Sequence, residues 1–178
     1  VIIIRPVFFL AYVDYNDRNV EKKITPGQVN DASNLNKTSV FEVVKVEQDL
    51  KKAIVQISAL IKEAGYSGKK ISIAGSQHSM GGHTIYPNGI ILDMKAMNHM
   101  EYDSVTGILT AGSGAIWAEV ISFLDRRGKS VAVMQSNNSF TVGGSVSVNC
   151  HGWTPNKPPI SSTIKSFRLL NAKGELIQ

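Results

Sequence analysis

An α+β fold with mixed sheets is what this sequence predicts, on three observations. Apolar runs of strand length recur from residue 70 onward, and several of the 15 glycines cluster in short loops between them. Two amphipathic helical stripes interleave with the first of these runs, and strand-like segments dominate afterwards. The length, 178 residues, suits one domain or two small lobes sharing a core. A chain of this size buries about 70% of the surface its unfolded form exposes, so neither disulfide nor metal is needed to hold it. With 43% apolar and 19% charged residues, global disorder is excluded, as are collagen-like, coiled-coil and disulfide-scaffold classes. No internal repeat or low-complexity tract is present.

Taken in order, the chain opens on Val1-Ile2-Ile3-Ile4-Arg5-Pro6-Val7-Phe8-Phe9-Leu10. Arg5 and Pro6 interrupt this run, and a bilayer span needs about 20 residues. It starts without Met, which fits a remnant of a longer anchor, a trimmed end, a core strand or a partner surface. Residues 14–40 are polar and without a period, so residues 1–40 are expected as an extended or poorly ordered lead-in. The folded domain is expected to run from 41 to 178.

Within residues 47–64, Leu50, Ala53, Ile54, Ile57, Leu60, Ile61 and Ala64 form a helical stripe. Gly65 follows as its expected stop. Residues 70–74 read as a strand, 75–82 as a glycine-bearing loop, and 89–93 and 108–111 as further strands. A second helix carries Ile116, Trp117, Val120, Ile121 and Leu124, and ends at Arg126-Arg127-Gly128. Val131-Ala132-Val133 reads as one more strand. Residues 140–149 mix β-branched residues with Gly143-Gly144. A last strand over 164–170 leads to the turn Asn171-Ala172-Lys173-Gly174.

Net charge is +5, with Lys and Arg in no run longer than a pair. This favours anionic small ligands or acidic surfaces, and no nucleic-acid motif accompanies it. Cys150 is the single cysteine, so no internal disulfide can form, and the compartment stays open between cytoplasm and membrane association. The sequons Asn36-Lys37-Thr38 and Asn137-Asn138-Ser139 are of a kind frequent by chance. The four histidines lack metal-ligand spacing, so no metal is assigned.

Three glycine-rich segments are candidates for chemistry. The first is Ala74-Gly75-Ser76-Gln77-His78-Ser79-Met80-Gly81-Gly82-His83. Glycines let backbone amides converge on an anion and small hydroxyls add donors, yet a tight turn with a surface histidine accounts for it equally. The second, Gly112-Ser113-Gly114, is not a dinucleotide fingerprint: Trp117 fills the third glycine position, and no acidic residue follows at the required distance. It reads as a structural turn. No P-loop lysine motif is present. The third runs from Gln135 through Ser136-Asn137-Asn138-Ser139-Phe140-Thr141-Val142-Gly143-Gly144 to Asn149-Cys150-His151-Gly152-Trp153. Its hydroxyls and amides suit a polar ligand, and the other reading is a surface hairpin with glycine bulges.

Together these residues resemble the FAD-binding domain of the vanillyl-alcohol oxidase and p-cresol methylhydroxylase superfamily. The resemblance rests on the strand and loop from Ile71, then Gly89-Ile90-Ile91-Leu92-Asp93 followed by Asn98. It continues through Thr110-Ala111-Gly112-Ser113-Gly114-Ala115-Ile116-Trp117, Thr141-Val142-Gly143-Gly144 and Asn149-Cys150-His151-Gly152. Residues 165–175, with the Ala172-Lys173-Gly174-Glu175 turn, complete it. The match covers roughly residues 42–178, and is nearest in character to the sugar-lactone and alditol oxidases and to the decaprenylphosphoryl-ribose oxidase branch.

The resemblance implies a two-lobed α+β domain with mixed parallel and antiparallel sheets and flanking helices. FAD would lie elongated between the lobes, with its adenosine diphosphate over residues 75–79 and 136–144 and the flavin towards His151. The implied cofactor residues are Gly75, Ser76, Gln77, His78, Ser79, Met80, Gly81 and His83, with Ser136, Asn137, Ser139, Thr141, Val142, Gly143, Gly144, Asn149 and His151. His99 is assigned to the surface. His78-Ser79 falls where related enzymes attach the flavin 8α-methyl to a histidine, although Gln77 stands where a glycine often precedes it. A covalent link through His78 is therefore left open. The region of a second, cysteinyl link holds Ser136, Asn137 and Asn138, and Cys150 reads as a small buried residue.

The resemblance further implies a parent enzyme that oxidises an alcohol group, of sugar, polyol or aldonolactone type, by hydride transfer to FAD. Electrons would pass to oxygen, a quinone or a cytochrome. A C-terminal substrate domain is expected beyond Gln178, so no catalytic residue is named and the fragment alone is expected to be inactive. Two other readings remain: a non-catalytic module holding an anion or nucleotide, and a basic domain recruiting an acidic partner.

Overall fold

A computed structural model describes residues 4–19, 27–153 and 155–178. The apolar opening is helical: α1 spans Ile4–Asn19. Pro6 lies in its first turn, where a missing backbone donor costs nothing. Val7, Phe8, Phe9 and Leu10 are 57% to 72% exposed on it. No helix among the described residues is long and apolar enough to cross a membrane. The expectation for residues 1–3 and 20–26 lies outside the described residues.

Within the lead-in expected to be extended or poorly ordered, residues 27–40 form a hairpin. Strands β1 (Gln28–Val29) and β2 (Thr38–Ser39) pair antiparallel, and the amide of Val40 closes the hairpin on Gly27 O at 2.9 Å. The polar residues between the strands bond one another around Asp31, which is 4% exposed. Polarity here signals a hydrogen-bonded knot rather than solvation.

The first lobe is a three-stranded parallel sheet in the order β3–β5–β4, from Glu42–Lys45, Ile90–Asp93 and Ile71–Ala74. The central strand is the most apolar run, because Ile90, Ile91 and Leu92 are buried on both faces. Helix α2 (Leu50–Ser67) covers one face. Its Ala53 and Ala64 pack with Val46, Ile90 and Leu92, as the stripe predicts. Asp49 caps it by accepting from Lys52 N at 2.9 Å. The expected stop at Gly65 is wrong by one turn: Gly65 is helical, and Gly68 ends the helix in the left-handed region at φ 67°. Val40, Ala74 and Ile91 form a smaller core on the other face.

The second lobe holds the antiparallel pair β6 (Met100–Asp103) and β7 (Ile108–Ala111), then helix α3 (Trp117–Asp125). Ala115, Trp117, Val120, Leu124, Val133, Cys150 and Ile160 make its core. Three expectations change here. Residues 131–133 form no strand, although Val133 is buried. Residues 142–147 form helix α4 (Val142–Ser147), not a strand or hairpin, because Thr141 Oγ1 accepts from Gly144 N and starts the turn. The long last strand shrinks to β8 (Leu169–Leu170), which pairs with β9 (Leu176–Ile177) across the turn at Gly174. That hairpin reaches back to the first lobe, where Ser58 Oγ donates to Gly174 O at 3.3 Å. Mixed parallel and antiparallel sheets with flanking helices are thus the fold.

Candidate functional site

The first glycine loop leaves the C-terminal end of β4 and meets the third segment directly. A Cβ at Gly75 would fall 2.2 Å from Thr141 Oγ1, so only glycine permits this approach. His78 stacks on Phe140 with ring centroids 4.3 Å apart. Its Nε2 lies 2.8 Å from Ser139 Oγ. Ser139 Oγ in turn donates to Asn137 Oδ1 at 2.9 Å. With that hydroxyl proton committed to Asn137, Oγ is left to accept from Nε2–H, an arrangement that favours the tautomer with its lone pair on Nδ1.

Residues 75–79 are half-buried, whereas Met80 and Gly81 are exposed. Among the described residues, no amide from Gly75 to Gly81 donates to a protein acceptor. Ser76 Oγ is buried without a partner, as is Thr84 Oγ1. A buried donor left unmet costs about 1–3 kcal/mol, which an acceptor reaching Ser76 Oγ would recover. Backbone amides without a protein acceptor, beside a buried hydroxyl, suit a diphosphate. Gln77 holds a positive φ of 55° within it. A cleft of about 430 Å³ lies behind Gln77, among Gln28, Phe41, Val43, Ile91 and Asp93. None of residues 136–144 lines it.

The third segment contributes differently. The amides of Val142 and Gly143 donate to Ala115 O and Ser113 O, both at 2.8 Å, and Gly144 N is spent on Thr141. A Cβ at Gly143 would meet Ser113 Cβ at 2.7 Å. Thr141, Val142, Gly143 and Gly144 therefore fix this wall through packing. Ser136 and Asn137 are exposed on it. Asn149 is turned away to accept from Ser161 N at 3.2 Å. His151 is exposed, and its Nδ1 lies 3.3 Å from Gly152 O. Neither Asn149 nor His151 bonds the first loop among the described residues. His83 is exposed, with its ring beside Gly81.

Gly112 and Gly114 are structural, as expected: a Cβ would fall 2.1 Å from Met97 O at the one and 1.9 Å from Met94 O at the other. Sequence reasoning missed Phe140, although an aromatic inside a polar segment is a visible signal. It also missed Asp31, whose carboxylate accepts from Gly82 N at 2.9 Å. Among the described residues no cluster of His, Cys, Asp and Glu could hold a metal ion.

Comparison with known proteins adds what geometry alone does not. The model of a family described as FAD binding domain matches residues 52–178, most of the chain. The chain belongs to this family. FAD is the cofactor of the domain, and the first loop's donors fit its diphosphate. An FAD-linked oxidoreductase, penO of Penicillium crustosum, is 30% identical over 108 residues, covering 57% of this chain and 24% of that protein. Decaprenylphosphoryl-beta-D-ribose oxidase of Mycolicibacterium smegmatis is 25% identical over 124 residues, covering 68% and 27%. D-arabinono-1,4-lactone oxidase of Saccharomyces cerevisiae is 27% identical over 128 residues, covering 70% and 24%. The chain thus spans about a quarter of the length of these curated relatives. Among solved structures, cholesterol oxidase from B. sterolicum superposes with a TM-score of 0.55 at 21% identity, over 71% of this chain and 24% of that one. That likeness speaks for the shared fold.

Proposed function

We propose that this FAD-binding domain serves an oxidoreductase that oxidises an alcohol group of a sugar, polyol or aldonolactone. The observation that carries the reading is the unmatched donor set of Gly75 to Gly81 and Ser76 Oγ, in a loop that touches Thr141 at Gly75 and Ser139 at His78. The amides and hydroxyl would hold the diphosphate, while the Ser136-to-Gly144 wall flanks the adenosine. The names of the lactone and ribose oxidases support the alcohol substrate. The chemistry supplied by bound FAD is hydride acceptance from the carbinol carbon, with electrons passed on to oxygen, a quinone or a cytochrome.

His78 would take the flavin 8α-carbon through Nδ1, the nitrogen left free by Ser139. That bond would replace one methyl C–H and the imidazole N–H, with oxygen as the oxidant. His151, exposed at the far end of α4, would face the flavin or the substrate hydroxyl.

The test is an absorption spectrum of the purified full-length protein, repeated after anaerobic addition of polyols and aldonolactones. Bleaching by a member of that panel supports the reading. FAD that stays oxidised with every member, in protein competent for reduction by dithionite, would leave a nucleotide-binding module.

A further inference from the structure

We propose that Asp31, from a segment outside the family match, is a positioning residue that orients the diphosphate-binding amides of loop 75–81. The inference rests on the reading of that loop as the FAD diphosphate site. Asp31 accepts four hydrogen bonds. Oδ1 takes Ser33 N at 3.0 Å and Ser33 Oγ at 2.5 Å; Oδ2 takes Asn36 Nδ2 at 2.7 Å and Gly82 N at 2.9 Å. Its neighbours add two tethers. Ala32 N donates to Gln77 O at 3.0 Å, and Asn36 Nδ2 also donates to Met80 O at 3.3 Å.

The pattern of these tethers matters more than their number. They occupy the carbonyls of Gln77 and Met80 and the amide just past the loop. In a planar trans peptide, C=O and the following N–H point in opposite directions. Turning Gln77 O towards the lead-in therefore turns the His78 amide away from it. Met80 O does the same for the Gly81 amide. The hairpin thus consumes the loop's acceptors on one side and presents its donors on the other. Gln77 is held in the left-handed region at φ 55°, a conformation that non-glycine residues keep only when their surroundings impose it. A loop required only to connect β4 with β5 would not need a buried carboxylate.

The test uses the full-length protein in a His78→Ala background, where FAD binds reversibly, with Asp31→Asn and, at the next residue of the knot, Asn36→Ala. Affinity for FAD and for ADP is measured well below each variant's unfolding midpoint, with hydrogen exchange of the 75–82 peptide at saturating FAD. For Asp31→Asn, FAD and ADP affinities should fall by a common factor of about tenfold or more. Protection of the loop amides by FAD should fall with them. Asn36→Ala should give a smaller loss of the same kind. Unchanged affinities and unchanged protection in Asp31→Asn, even with a lowered midpoint, would reduce Asp31 to a structural role and overturn the proposal. Wild-type protein that binds neither FAD nor ADP would instead overturn the loop assignment itself, and the proposal with it.

Discussion

Ser139 Oγ sits 2.8 Å from His78 Nε2 and donates its own hydrogen bond to Asn137 Oδ1, an arrangement that favours the histidine tautomer with Nδ1 free. Phe140 fixes the ring plane by stacking on it. His78→Ala should give protein whose yellow colour leaves the pellet on acid precipitation, while FAD remains bound before acid is added. Ser139→Ala should still attach flavin, severalfold more slowly, because either ring nitrogen can then carry the proton. The time course of acid-stable absorbance reads both outcomes. Wild-type colour that washes out in acid would remove the covalent link and leave FAD bound without it.

Trp117 Nε1 donates to Ser145 Oγ at 2.8 Å, and that hydroxyl donates to Gln135 Oε1 at 3.0 Å. Ser145 is fully buried within α4. Ser145→Ala should cost about 1–3 kcal/mol, since it leaves the indole N–H unmet. Urea unfolding at neutral pH measures it, and a loss below about 0.5 kcal/mol would mean that Trp117 finds another acceptor.

Two glycines should respond in opposite directions. Gly65 lies inside α2 with nothing within 4 Å of an added Cβ, so Gly65→Ala should stabilise by about 0.5–1 kcal/mol. Gly114→Ala would drive a Cβ to 1.9 Å from Met94 O. Backbone must move there, and a destabilisation above about 2 kcal/mol is expected. Thermal midpoints of the two variants should fall on either side of wild type.

Asp31 gives a pH signature. Its carboxyl is held below the ordinary value of 3.8 by the Ser33 hydroxyl, against the opposing pull of burial, with further help from Gly82 and Asn36. A lowered folded value makes the contribution complete above the ordinary range and lost as pH falls through the lowered value. Asp103 is shifted the same way, chiefly by Thr106. Wild type should therefore lose stability more steeply than Asp31→Asn between pH 5 and pH 2, by roughly the slope one proton gives. Parallel urea midpoints in the two proteins across that range would refute it.

Much of the scaffold was legible because its signals are local. The α2 stripe follows from its spacing, and Ile90, Ile91 and Leu92 mark a strand buried on both faces. Trp117 and its glycine turn fall where expected. What escaped depends on capping or distance. Thr141 turns a β-branched segment into a helix through one hydroxyl, against its propensity. Strand β6 carries Glu101 and Asp103 and owes its pairing to β7 across a tight turn. The Asp31 knot hid because Asn, Asp and Ser in a row look solvated until their partner, 51 residues away at Gly82, is known. At the candidate site the loop was readable from its glycines, whereas the stacking of Phe140 on His78 needed the two segments in register.

The strand order β3–β5–β4 places the last of the three to be synthesised between the other two. Neither outer strand has a neighbour in this sheet until residues 90–93 arrive. Helix α2 and the glycine loop are therefore made before the surface they rest on exists. During translation the nascent lobe would carry two unpaired strands and an uncovered apolar helix face, which is when a chaperone would have most to hold.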